Sequence, residues 1–375
     1  MIVPFNKAEP VGCELTYIQD AIRRGGRPGN GYYMARCSQW LRAYLKAKTV
    51  LITPSCTHAL ELAYMVLKIK PGDEVIVPSF TFPSTANAFV LRGARPRFID
   101  IRSDTLNLDE RLIEKAISPK TRAITVVHYA GVPCQMDVIM RIARKHGLPV
   151  IEDAAQALGA TFQGKPVGSL GNLSAFSFHK SKHCFCGEGG ALVADRKVHS
   201  APAEIYRQNG TDRSLFIQGG VAQYTWVDEG SSFLPSELQC AFLLAQLEHL
   251  ESIRKKRKKR YETYLAAFQG LEARGDIQLP VIPSDRTSSY HLFHVLFENE
   301  KTRNRVMNQL RKKGISAYFH YFPLHLSRMG RRYGYKPGQF PVSESANQRL
   351  LRLPLYNTMT VKEQAAVINA LIKSL

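Results

Sequence analysis

From residue 49 to about residue 195 the chain alternates short apolar runs with segments whose apolar positions recur every three or four residues. Val50–Ile52, Glu74–Val77, Arg97–Ile101, Ala123–His128, Val150–Glu152, Ser174–Phe178 and Ala191–Ala194 read as strands. Between them, Thr57–Leu67 and Met136–His146 carry an apolar stripe at helical spacing. This alternation predicts a mostly parallel sheet covered by helices on both faces. Strands of such a sheet are buried on both sides and so read as continuous apolar runs. Pro235–Gln269 reads as one long helix ending near Gly270. Beyond it, Ser289–Phe297 and Ala317–Phe319 read as strands, and Thr302–Lys313, Ser343–Leu351 and Val361–Leu375 as helices. An α/β chain is therefore expected, with a large, mostly parallel-sheet domain over residues 1–250 and a small α+β domain over residues 251–375.

Composition narrows the class. With 375 residues, 45% hydrophobic and 22% charged, the chain can bury a large core in about two domains. That excludes a disordered chain, a fibre and a small disulfide scaffold. No stretch approaches the roughly 18 apolar residues of a membrane span. Met1–Gly12 lacks the apolar core of a secretory signal. Seven cysteines, an odd number, read as reduced thiols in a cytoplasmic protein. Lys and Arg total 51 against 31 Asp and Glu, a net charge of +20 that favours anionic partners. The densest basic run, Arg254–Arg260, reads as the solvated face of a helix. No nucleic-acid module accompanies it, so nucleic acid is not an expected partner.

Ligands of open α/β sheets bind outside the carboxyl ends of the strands, and three such ends carry chemistry. Val50–Ile52 runs into Thr53-Pro54-Ser55-Cys56-Thr57 and a helix start, which suits either a simple N-cap or a phosphate. Val150–Glu152 ends at Asp153, which either caps the next helix or serves a cation such as a pyridinium. Ser174–Phe178 leads to Lys180 and Lys182, either surface lysines or imine-forming amines. Together, a phosphate cup, a strand-end aspartate and a lysine about 30 residues later match the needs of pyridoxal phosphate. His179, His183, Cys184 and Cys186 are possible zinc donors, but Cys-X-Cys with no second pair is not a zinc spacing. No metal is expected, and the thiols read as packing residues.

The chain resembles the DegT/DnrJ/EryC/StrS family of pyridoxal-phosphate sugar aminotransferases over nearly its whole length. The resemblance rests on Pro78-Ser79-Phe80-Thr81-Phe82, Val127-His128-Tyr129-Ala130-Gly131, Ile151-Glu152-Asp153-Ala154-Ala155-Gln156 and Phe176-Ser177-Phe178-His179. Gly187-Glu188-Gly189-Gly190, Ser236-Glu237-Leu238-Gln239 and His320-Tyr321-Phe322-Pro323-Leu324-His325 continue it. It implies the fold type I, aspartate-aminotransferase-like architecture. It also implies that Lys182 carries the cofactor and shuttles protons, and that Asp153 holds the pyridine nitrogen. Gln156 and Ser177 would contact the ring or phosphate, Phe82 would stack on the ring, and Cys56 and Thr57 would serve the phosphate. His320 and Tyr321 would lie near a sugar nucleotide. A homodimer with shared active sites is implied, its partner segment lying around Gly230–Phe233, with Ser232 where the family commonly has Asn. The implied reaction moves an amino group from L-glutamate to the 4-keto carbon of dTDP-4-dehydro-6-deoxy-D-glucose. Other keto sugars, 3-keto or UDP-linked, and cyclitols remain open as acceptors, as does a cofactor-binding regulator acting through the basic surface.

Overall fold

The computed structural model describes residues 1–25, 31–194 and 197–375. The seven apolar runs of the first half form one seven-stranded sheet. Its strands are β1 (Thr49–Thr53), β2 (Glu74–Pro78), β3 (Arg95–Ile99), β4 (Thr121–Val127), β5 (Val150–Asp153), β6 (Leu173–Ser177) and β7 (Gly190–Ala194). They lie in the order β1-β7-β6-β5-β4-β2-β3. Only β7 runs against its neighbours; the pairs from β6 through β3 are parallel. The Cys56–Val66 and Pro83–Val90 helices cover one face, burying Leu60, Ala63, Tyr64 and Phe89 against Val75, Val77, Ile151 and Leu192. The Tyr32–Leu45 and Glu237–Glu248 helices cover β1 and β7 on the other face, and Met136–Lys145 covers the β2–β4 side. Both faces are thus shielded, as continuous apolar strands require.

A second, three-stranded sheet forms in the C-terminal part, with Phe293–Phe297 between Ile277–Gln278 and Leu350–Leu353. The Leu250–Ala273, Glu300–Lys312 and Val361–Ile372 helices close its core, which Val3 also enters from the N-terminus. Among the described residues no helix is long and apolar enough to cross a membrane. All seven cysteines are unpaired, and Cys37, Cys184, Cys186 and Cys240 pack in one core cluster.

The structure corrects four local expectations. The single helix over Pro235–Gln269 is two helices, broken at His249, and the second runs through Gly270 to Ala273. The His249 imidazole donates from Nδ1 to the Ala245 carbonyl at 2.9 Å, while its backbone N–H turns to Gln246 at 3.2 Å. The side chain has taken the acceptor that a continuous helix would give to the backbone. The helix expected over Ser343–Leu351 is Pro341–Arg349, and Leu350–Leu353 is a strand paired with Phe293–Leu296. Burial of Leu350, Leu351 and Leu353 between cross-strand neighbours outweighs the helical spacing. Ala317–Phe319 contributes only an isolated bridge, from Tyr318 to Arg352. In the basic run, Lys255, Lys256, Lys258 and Lys259 are solvated, but Arg257 is buried.

Arg257 is a structural clip. Its guanidinium donates to the carbonyls of Tyr290 (2.9 Å), His291 and Leu355 (3.2 Å) and to Asn357 Oδ1 (3.2 Å). Four acceptors lose this donor if it is removed, and each one left buried and unpaired costs about 1–3 kcal/mol. Arg257→Met should therefore lower stability by about 3 kcal/mol or more, read as a lower melting temperature. Lys256→Met, one position away and exposed, should stay within about 0.5 kcal/mol of wild type. Equal effects of the two substitutions would contradict the clip.

Candidate active site

The sheet register gathers the site. Gly190, the first residue of β7, pairs with Thr53 at the end of β1 and with Ser177 at the end of β6. A Cβ on Gly190 would lie 2.3 Å from the Ser55 carbonyl carbon and 2.4 Å from the Cys56 nitrogen, so only glycine admits this approach. The turn after β1 and the arm after β6 are thus held on either side of one strand end. They open on a cavity of about 710 Å³.

Ser55 starts the Cys56–Val66 helix as its N-cap. Its backbone is extended, and its Oγ accepts the His58 N–H at 3.2 Å. Cys56 and Thr57 occupy the first helical turn and line the cavity with Ser55. Thr57 Oγ1 donates to Ser84 Oγ at 2.9 Å. The first-turn amides and these hydroxyls form a cup suited to a phosphate.

At the end of β5 two acids stand side by side, and their surroundings separate them. Burial works against the charge on Glu152, but the His128 ring and the amides of Gly168, Leu170 and Gly171 bring its pKa below the ordinary value. The Cys134 N–H points at His128 Nδ1 (3.0 Å), so the ring proton sits on Nε2, facing Glu152. Asp153 faces the cavity. Burial raises its pKa, offset only in part by the Thr85 hydroxyl at 2.7 Å and the Ala155 N–H at 3.1 Å. No cation is paired with it among the described residues.

The arm from Ser177 to Gly190 is braced by backbone bonds, among them Phe178 N–H to Gly189, Lys180 N–H to Gly187 and Lys182 N–H to His179. It turns the two lysines apart. Lys182 lines the cavity, whereas Lys180 is exposed outside it. Burial lowers the Lys182 pKa; nearby Cys56 and Asp153 act in the opposite direction, and Arg352 lowers it further. No hydrogen bond or ion pair occupies its Nζ among the described residues. His183, after it, is buried on the Leu158 carbonyl at 2.9 Å.

Aromatic groups form the remaining walls. Phe82 precedes Pro83, which starts the next helix; its ring stays 57% exposed at the cavity rim, ready for a flat partner. Thr85, three residues on along the same helix face, is the donor to Asp153. Gln156 accepts the Ala130 N–H at 2.8 Å and donates to the Tyr321 hydroxyl at 3.0 Å. Tyr321 stacks on His320 at 3.9 Å between ring centroids.

The structure thus brings Cys56, Thr57, Phe82, Asp153, Gln156, Ser177, Lys182, His320 and Tyr321 to one cavity. Ser232 is exposed, pairs with Gln208 and lies outside it. Two lining residues that sequence reasoning missed are Ser84 and Arg352. Ser84 was readable only through its position after Phe82, and Arg352 was hidden by the misread strand. No cluster of three metal-ligating side chains occurs among the described residues. Pyridoxal phosphate fits what is present: an anion cup, an acid without a cation, an amine without an acid, and an uncovered aromatic face.

Asp153 therefore weakens the cofactor-free protein. Its folded pKa is raised, so folding takes up a proton between the unfolded carboxyl value and the folded one, and the charge costs stability at every higher pH. Cofactor-free Asp153→Asn should melt above wild type at pH 7, by about 1 °C for each kcal/mol relieved. The gain should shrink as the pH falls toward the ordinary aspartate value. A lower melting temperature for the variant at pH 7 would contradict this account of Asp153.

Comparison with known proteins gives the same picture. The profile of the DegT/DnrJ/EryC1/StrS aminotransferase family matches residues 14–372. The spore coat polysaccharide biosynthesis protein SpsC of Bacillus subtilis is 34% identical over 336 residues, 88% of this chain and 86% of that protein. DesV of S. venezuelae, solved in complex with a ketimine intermediate, superposes with a TM-score of 0.90 at 33% identity, covering 100% of this chain and 98% of that one. Spr1654 of Streptococcus pneumoniae in its PLP form superposes with a TM-score of 0.91 at 26% identity, covering both chains fully (100% each). The chain belongs to the DegT/DnrJ/EryC1/StrS aminotransferase family and is a pyridoxal-phosphate-dependent transaminase.

Proposed function

We propose that this transaminase takes its amino group from L-glutamate and delivers it to the 4-keto carbon of dTDP-4-dehydro-6-deoxy-D-glucose, giving dTDP-4-amino-4,6-dideoxygalactose. The observation that carries the reading is the meeting of Lys182, Asp153 and the Ser55–Thr57 cup in one cavity. The sugar acceptor is supported by the likeness to SpsC, a polysaccharide biosynthesis protein. The choice of dTDP sugar rests on Thr53–Thr57, Tyr224-Thr225-Trp226 and Leu351–Leu355. These stretches are similar to the corresponding transaminase of enterobacterial common antigen synthesis.

Bound pyridoxal phosphate supplies an electron sink that stabilises negative charge on the reacting carbon. The protein supplies position and protons. The Ser55 hydroxyl and the amides of the Cys56 turn would hold the phosphate. Asp153, which has no other cation, keeps the pyridine nitrogen protonated. Lys182 Nζ, its charge disfavoured by burial, would serve as the base that removes the donor's α-proton and later protonates the sugar carbon. Gln156 and Tyr321, held to each other by a hydrogen bond, would contact the ring edge. Phe82, uncovered at the rim, would cover the ring face and shield it from water.

We read the working unit as a homodimer. Ser232 lies outside its own cavity, next to a surface on which Trp226 is 80% exposed and Leu215, Phe216, Ile217 and Val227 are also uncovered. A patch of this kind fits a second copy, which would receive Ser232 at its own cavity.

In the holoenzyme L-glutamate should bleach the visible cofactor absorption, and the dTDP-4-keto sugar should restore it faster than UDP-linked or 3-keto analogues. Faster restoration by one of those analogues would reassign the acceptor. Lys182→Ala should lower turnover at least about 10³-fold, and Lys180→Ala should leave it within about two-fold. The reverse pattern would place the amine on Lys180. Asp153→Asn should lower turnover by roughly 10²- to 10³-fold. Mixing Lys182→Ala with Ser232→Trp subunits should restore up to about a quarter of wild-type activity, since half the dimers then hold one intact site. No recovery in verified mixed dimers would contradict the shared site.

A further inference from the structure

One charged side chain in the cavity has no part in the transamination scheme. Arg352 lies on the Leu350–Leu353 strand, opposite His294, and lines the cavity with Leu353 and Leu355. Its guanidinium rests 4.7 Å from the Phe5 ring centroid, and Nη2 donates to the Phe319 carbonyl at 3.1 Å. Its Nε is buried without a partner. Among the described residues no carboxylate pairs with it. The two acids lining the cavity are engaged elsewhere: Asp153 with Thr85 and Ala155, and Glu188 beside His179 at 3.4 Å. A guanidinium seated on an aromatic ring with unspent donors is a receptor for a planar anion.

We propose that Arg352 binds the α-carboxylate of the amino-acid donor through the unpaired edge of its guanidinium. The assignment rests on reading the cavity as the site of an L-α-amino acid donor. Two substrate anions could compete for it, the donor's carboxylate and the sugar nucleotide's diphosphate, and position separates them. Arg352 lines the same cavity as Lys182, His320 and Tyr321, on the side where the reacting amine is. In the donor, the α-carboxylate is one bond from the carbon that must meet Lys182. In a 4-keto sugar nucleotide, the diphosphate lies across the sugar ring from the reacting carbon. The anion that can reach both Lys182 and Arg352 is the carboxylate. The nearby histidines cannot replace the charge, because burial keeps His320 and His294 neutral, the latter with a pKa lowered to about 3. Arg352 is thus the fixed cation of this wall.

The test uses the holoenzyme with Arg352→Met and Arg352→Lys, each shown by its cofactor spectrum to carry pyridoxal phosphate. Two quantities are measured. One is the dissociation constant of α-methyl-L-glutamate, which has no α-proton to lose. The other is the single-turnover rate with L-glutamate and with 4-aminobutanoate, the same donor without its α-carboxylate. Arg352→Met should weaken α-methyl-L-glutamate binding and slow the L-glutamate reaction by roughly 100-fold, with Arg352→Lys between it and wild type. With 4-aminobutanoate the penalty should vanish, because the group that Arg352 meets is already gone. Equal penalties with both donors would overturn the assignment. So would a larger penalty in the sugar half-reaction, which would move the guanidinium to the diphosphate. If Arg352→Met does not load cofactor, the lysine variant makes the same comparison at smaller amplitude. Wild-type holoenzyme that L-glutamate does not bleach would overturn the donor reading along with this one.

Discussion

Two carboxylates at consecutive positions of one buried strand are given opposite fates, and the site is built on that difference. Alternation along β5 sends Glu152 and Asp153 to opposite faces. Glu152 is saturated by loop amides, the Ser174 hydroxyl and the His128 ring, and so keeps its charge while tying β5 to the loop before β6. Asp153 receives two donors and no cation, so its charge is held at a cost. A buried acid left in this state is a demand for a cation, and a protonated pyridine ring meets it. The structural acid and the functional acid are told apart by their partners, not by their residue type.

The rest of the cavity answers the same demand from other directions. The antiparallel strand β7 enters between β1 and β6, and Gly190 lets the phosphate cup and the lysine arm come within one strand's width of each other. The helix that exposes Phe82 also delivers Thr85 to Asp153, so ring cover and acid orientation come from one element. The C-terminal part contributes Tyr321, His320 and Arg352 from the opposite wall. Arg257 pins the 290–291 and 355 segments behind that wall to the long helix. Net positive charge, read from composition as a preference for anions, takes a specific form here: an amine and a guanidinium face a cavity in which the buried acid, Asp153, awaits a cation.

Much of this was legible in the sequence, for identifiable reasons. The inner strands of the large sheet are buried on both faces and so read as apolar runs, whereas the edge strand β3 exposes Arg95 and Arg97, and the carboxyl ends of the strands mark where a ligand must sit. Ser55, Asp153 and Lys182 were individually ambiguous between capping, surface and catalytic roles; their order along the chain made the combination specific. What stayed hidden depended on contacts distant in sequence. The break at His249 comes from a side chain taking a backbone acceptor. Leu350–Leu353 continues a helical spacing, and only pairing with Phe293–Leu296 makes it a strand, which concealed Arg352 as a cavity residue. Arg257 sits in a lysine-rich run that reads as solvated, and only the carbonyls converging on it show otherwise.

The central claim is that Lys182 is the amine of this site. It is tested most directly by loading the protein with pyridoxal phosphate, reducing it with borohydride so that the cofactor is fixed to its lysine, and mapping the labelled peptide by mass spectrometry. The account predicts one labelled position, Lys182. Label on Lys180, or spread over the exposed lysines of the 254–260 run, would contradict it.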